Sequence, residues 1–174
     1  MLIRYQIVYC LCMTVIPVDL SRTTDDIRNR TENIVDSLGK KDLNQDGNII
    51  NLAIVGSSRF YDFQIFEELI ENWVDDNGYP DLIIVGGASG VDYMAERWAD
   101  NNSTPIAIFS EEWDDPNRTL RDRGRSEAPN SLTEKILQSA TDILAIPSPT
   151  SKWTRIVIEM AKEREMSLTI YEIG

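Results

Sequence analysis

Histidine is missing from all 174 residues. Its absence removes Ser-His-Asp and Cys-His catalysis and most zinc sites, and leaves carboxylates, Lys, Tyr or Cys as the only acids and bases. Cysteine is nearly as scarce. Cys10 and Cys12 are too few for a disulfide framework and are not spaced as a CxxC pair, so they read as buried thiols of a reducing, cytoplasmic setting. Positive charge is thin as well, with 17 Lys and Arg against 29 Asp and Glu and a net charge of −12. A field of that sign repels polyanions and argues against strong binding to nucleic acid or to an anionic membrane. Long apolar runs are absent too. The most apolar stretch, residues 1–20, is too short to cross a bilayer and reads as a strand or packed arm, with an uncleaved leader as the alternative.

What is present is enough for a core, since 42% of the residues are hydrophobic, and the length suits one domain with an appendage. Residues 1–48 form the N-terminal extension. Within it Thr23–Leu38 places Ile27, Ile34, Val35 and Leu38 on one helical face, with Gly39 as the stop. The following "DLNQDG", Asp42–Gly47, imitates the first half of a calcium loop, but Ala53 stands where the bidentate acid belongs, so a polar turn is the expectation.

From residue 49 to residue 174 strands and helices alternate. Strands are expected at Ile49–Val55, Leu82–Val85, Pro105–Phe109, Asp142–Ile146 and Leu168–Ile173. Helices are expected at Asp62–Asn77, Val91–Asn101, Ser131–Ser139 and Trp153–Glu165. Such alternation implies an α/β fold, a doubly wound and mostly parallel five-stranded sheet with helices on both faces.

Ligands of these folds bind beyond the carboxyl ends of the strands, where the strand order reverses. Three turns carry residues suited to an anion there, and four of the nine glycines fall in the first two. In the first, Gly56, Ser57 and Ser58 offer amides and hydroxyls and Arg59 a planar fork. In the second, "LIIVGGASGVD", Gly86 and Gly87 permit close backbone approach, Ala88 and Ser89 complete the turn, and Gly90 lets the next helix start tight against the sheet. In the third, Lys152 and Thr154 stand where a helix begins, so ammonium, hydroxyl and free amides can share one anion. Each residue also has a plainer reading: the serines cap turns, Arg59 pairs with Asp62, Lys152 is solvated, and Asp92 is an acid favoured in a first helical turn. The polar stretch Ser110–Pro129 holds Arg118, Arg121, Arg123 and Arg125, either a lid over a charged ligand or an exposed network with Glu111, Glu112, Asp114, Asp115 and Asp122.

"GSSRFYD", "GGASGVDYMAERWA", "PIAIFSEEW" and "ATDILAI" followed by "SKWT", taken in order over residues 51–174, resemble the SLOG superfamily. That Rossmann-like group includes the Lonely-guy phosphoribohydrolases and DprA proteins, and the likeness is greatest to its YspA/YpsA-related branch. The resemblance implies a nucleotide or nucleotide-derived, ADP-ribose-like ligand held by the glycine turns. Gly56, Ser57 and Arg59 match its "GSR" signature, with one extra serine. Gly86, Gly87, Ala88, Gly90 and Asp92 match "GGAxGxD", which suggests a hydrogen bond from a ribose hydroxyl to Asp92. Trp113 matches a tryptophan that could stack on a base or, equally, pack over the sheet edge. The chain departs from the pattern in lacking "AGPxRN", in carrying Trp153 where relatives have glycine, and in lacking the Lonely-guy "PGGxGTxxE".

The leading expectation is therefore a module that binds a small phosphorylated or nucleotide-derived ligand. A hydrolase of N-glycosidic or phosphate bonds is the alternative, with Asp92, Asp62 or Glu112 as its carboxylate. A third reading is an interaction module in which the glycine turns are only structural. No metal is expected, and a homo-oligomer stays open.

Overall fold

A computed structural model describes residues 33–87, 89–109 and 130–174. From residue 51 on, nine elements follow one another among the described residues: β1 (Asn51–Gly56), α1 (Phe63–Asn77), β2 (Leu82–Val85), α2 (Val91–Asn101), β3 (Ile106–Ile108), α3 (Asn130–Ser139), β4 (Asp142–Ile146), α4 (Lys152–Glu163) and β5 (Ser167–Ile170). The five strands form one sheet in the order β3-β2-β1-β4-β5, and every neighbouring pair is parallel. The expected doubly wound α/β architecture is what the chain adopts. The order reverses between β1 and β4, which pair from Leu52 opposite Asp142 to Gly56 opposite Ile146.

Side chains alternate across each strand, and the two sets fill two cores. Leu52 and Ile54, Ile83 and Val85, and Leu144 and Ile146 pack with Phe66, Ile70 and Trp73 of α1 and Met94, Ala95 and Trp98 of α2. Ala53 and Val55, Leu82 and Ile84, and Ile143 and Ala145 face the opposite way. They meet Leu132, Ile136 and Leu137 of α3 and Val157, Ile158 and Ala161 of α4. Strands buried on both faces explain why the sequence shows continuous apolar runs rather than alternation. Each fully buried Val, Leu or Ile contributes on the order of 1.5–3 kcal/mol.

Element ends differ from the sequence pattern for local reasons. β1 starts at Asn51 rather than Ile49, because the Ile50 amide donates to the Asp81 carboxylate (2.9 Å). α1 starts at Phe63, with Asp62 as its N-cap accepting from the Ile65 amide. α4 begins at Lys152 and closes at Glu163, and Glu165 has left the helix with φ +54°. β5 ends at Ile170, although the Tyr171 and Ile173 amides still donate to Ala145 and Pro147 carbonyls.

The extension is described from residue 33, and its helical turn, residues 33–38, packs Ile34 and Val35 on the α3/α4 face. The expected helix before residue 33, the arm at residues 1–20 and both cysteines lie outside the described residues. Asp42–Gly47 closes on itself as a polar turn, with the Asp42 carboxylate accepting from the Asp46 (3.2 Å) and Gly47 (2.9 Å) amides. Asn44 then ties this strap to the sheet through its amide to Asp81 (2.8 Å) and its side chain to the Tyr79 carbonyl (2.8 Å). Among the described residues no helix is long and apolar enough to cross a membrane, and no group of three or more Cys, Asp and Glu is arranged to hold a metal ion.

Candidate functional site

The turns after β2, β1 and β4 sit side by side at the C-terminal edge of the sheet, because those strands are adjacent there. The first two are stapled together. The Ser57 amide donates to the Ile146 carbonyl and zips β1 to β4 (3.0 Å), while the Ser57 carbonyl accepts the Val91 amide, the first of α2 (3.0 Å). The Ser89 hydroxyl donates to the Ser58 carbonyl (3.0 Å). Gly90 has φ +71°, and a Cβ on it would stand 2.2 Å from the Ser57 oxygen. Its glycine is required by the neighbouring turn, not by packing of α2 against the sheet as the sequence alone suggests. Gly56 is similarly confined, a Cβ there falling 2.6 Å from the Ile146 oxygen and 2.7 Å from Val91.

Gly86 is different. It is buried, yet a Cβ on it would meet only ordinary contacts: the Asp92 Oδ2 at 3.4 Å, the Ile136 Cδ1 at 3.7 Å and the Trp153 Cη2 at 3.7 Å. The position has room for a methyl group, with a carboxylate on one side and an indole edge on another. Asp92 lies in the first turn of α2, only 2% exposed, and makes a further interaction within the chain. A carboxylate there repels phosphate and accepts hydrogen bonds, so this part of the edge suits a hydroxyl-bearing group. Gly87, with φ +68°, is exposed at the rim.

An anion is better served at the start of α4. The Ser151 amide donates to the Ser148 carbonyl and the Lys152 amide to the Thr150 carbonyl, but no side chain among the described residues caps this helix start. The amides of Trp153 and Thr154 have no acceptor among the described residues. Thr154 is 2% exposed, and its hydroxyl makes no hydrogen bond with them. Lys152 is exposed and carries no ion pair among them. Unclaimed amides at a helix start, with the helix dipole behind them, attract negative charge. By contrast the start of α1 is closed by its own Asp62, whose carboxylate takes the Ile65 amide at 3.2 Å.

Ser148, Thr150 and Ser151 hold the β4 turn in shape. The Ser148 amide donates to the Ser151 hydroxyl at 3.0 Å, and the Ser148 and Ser151 hydroxyls are 2.9 Å apart. Arg155 then clamps that turn to the chain end, donating to both Glu172 oxygens (3.1 Å each) and to the Ser148 carbonyl (3.1 Å). Its hydrogen bond to Glu172 pushes the guanidinium pKa further up, so the clamp keeps its charge across the whole working pH range.

Of the residues singled out in the sequence, Gly56, Ser57, Ser58, Gly86, Gly87, Ser89, Gly90, Asp92, Lys152 and Thr154 all lie on these three turns or the helix starts that follow them. Arg59 is exposed on the same edge and forms no ion pair with Asp62. Its amide donates to the Ser57 hydroxyl at 3.3 Å. Ala88, Glu112, Trp113 and the arginines at 118, 121, 123 and 125 lie outside the described residues. Sequence reasoning missed Thr133, which accepts the Trp153 indole N–H at 3.1 Å, and the Arg155–Glu172 clamp. No local signal announces either, since the partners are 20 and 17 residues apart.

The chain matches no family model, no curated protein and no solved structure.

Proposed function

We propose that this chain is a cytosolic, SLOG-like module that binds a nucleotide or nucleotide-derived ligand of the ADP-ribose kind at the C-terminal edge of its sheet. The observation that carries the reading is the start of α4, where two amides without acceptors among the described residues stand with the Thr154 hydroxyl and with Lys152, which has no ion pair among them. Phosphate belongs at α4, and a ribose belongs against the β2 turn, where the exposed Gly87 lets a ligand approach the backbone. Arg59 supplies a second cation at the rim.

Titration of the full chain with AMP, ADP, cyclic AMP and ADP-ribose, by calorimetry and thermal shift, tests this. Binding by at least one of them is expected, and Lys152→Ala combined with Thr154→Val should weaken it roughly tenfold or more, as expected when charge-assisted hydrogen bonds of about 1.5–3 kcal/mol are lost. Folded protein stabilised by none of the four would overturn the reading.

A hydrolytic role rests on a narrower observation, the Asp92 carboxylate 3.4 Å from the point a Gly86 Cβ would occupy. A carboxylate so placed could stabilise positive charge developing on a sugar. Chromatography of AMP and ADP-ribose after long incubation decides it, and full turnover by Asp92→Asn would remove the candidate.

A further inference from the structure

We infer that Trp153 is the stacking surface for the planar ring of the ligand, so that the site selects a phosphorylated ligand bearing an aromatic base over a bare sugar phosphate. This rests on the ligand reading given above.

Trp153 is the second residue of α4, and its ring reaches from that helix start back to the buried Gly86 of the β2 turn. The indole is held at both ends. Its N–H donates to the Thr133 hydroxyl of α3 at 3.1 Å, and its Cη2 stands 3.7 Å from the point a Gly86 Cβ would occupy. It also packs on the core of the α3/α4 face, yet it remains partly exposed. With the nitrogen edge hydrogen-bonded and the ring packed on that core, the base stacks on the part of the ring that stays exposed.

A ring fixed in this way is preorganised, so a base settling on it loses little freedom in the protein. Stacking accepts the π-face of any base, while the phosphate is held at the same helix start and the ribose lies against the β2 turn. The other two described tryptophans cannot take this part, because Trp73 and Trp98 are each 2% exposed within the α1/α2 core.

Calorimetric affinities of the full chain for AMP and for ribose 5-phosphate provide the test, first in the wild type and then in Trp153→Leu and Trp153→Phe. The wild type should bind AMP at least about tenfold more tightly than ribose 5-phosphate, the low end of what one stacked base contributes. Trp153→Leu should cost AMP on the order of tenfold to a hundredfold and leave ribose 5-phosphate within about twofold. Trp153→Phe should keep most of the AMP affinity. Equal wild-type affinities for the two ligands would overturn the inference while leaving the binding site in place, and so would equal losses for both in Trp153→Leu. Failure of the wild type to bind either, or any nucleotide, would overturn this inference and the function reading together. The wild-type comparison needs no variant and holds even if Trp153→Leu does not fold.

Discussion

Replacing Gly90 with alanine places a methyl group where the backbone of the β1 turn already lies. The new Cβ would sit 2.2 Å from the Ser57 oxygen and 2.5 Å from the Ser58 carbonyl carbon, both main-chain atoms. Ser57 cannot retreat freely, since its oxygen accepts the Val91 amide at 3.0 Å and its own amide is bonded to Ile146 at 3.0 Å. Gly90 also has φ +71° and ψ −121°, a region that residues with a Cβ avoid at a cost of about 1–3 kcal/mol. Relief of the clash requires separating the turns and losing one hydrogen bond worth about 1 kcal/mol. The expected loss is therefore about 2–4 kcal/mol, a large part of the roughly 5–15 kcal/mol of a whole domain. Gly47→Ala is the control, because Gly47 has φ +85° but nothing within 4 Å of its Cβ. It should cost only about 1–2 kcal/mol of backbone strain. Urea unfolding at equilibrium reads both as midpoint shifts at constant slope. A Gly90→Ala variant no less stable than Gly47→Ala would refute the claim that this glycine exists for the contact between turns.

Gly86→Ala should do the opposite, leaving stability within about 1 kcal/mol because its contacts at 3.4–3.7 Å are ordinary, while its methyl presses on the Trp153 ring and weakens nucleotide binding; parallel melting and titration check it. Asp81→Ala strips the buried acceptor of the Ile50 amide and of the half-buried Asn44 amide and should cost at least about 1–3 kcal/mol by urea unfolding, the cost of one buried donor left unpaired. Asp42 has its pKa held below the usual 3.8, chiefly by the Gly47 amide. Its stabilisation is therefore present above that value and lost as pH falls through the lowered one. Thermal midpoints of the wild type and Asp42→Asn should differ at pH 7 and converge in strong acid. Glu96 is shifted the other way, its pKa raised by burial, so the charged form is disfavoured in the fold. Glu96→Gln should raise the melting temperature at pH 7 and change nothing below the usual 4.5, since the penalty sets in as pH rises.

The architecture was legible before any coordinate, because two short-range signals agree: apolar runs such as Leu82–Val85, too brief for helices, and helical periodicity such as Phe66, Ile70 and Trp73. With right-handed crossovers these leave few ways to wind the chain. Clustering of the glycine turns with Lys152 and Thr154 on one edge follows from the same winding. The sequence did not distinguish the glycines from one another. "GGASG" reads as one anion turn, yet Gly90 answers to the Ser57 carbonyl 33 residues earlier, and Gly86 faces Asp92 and Trp153 from two different helices. Strand order and register alone bring those atoms within contact distance, and neither propensity nor spacing encodes them. The same holds for Trp153, which in the sequence is a departure from a glycine and in the fold is a ring pinned between α3 and the β2 turn. Local chemistry thus determined which elements form and which residues suit an anion. The packing of parallel strands at one edge decided which of those residues meet, because contacts between turns depend on chain segments far apart in sequence.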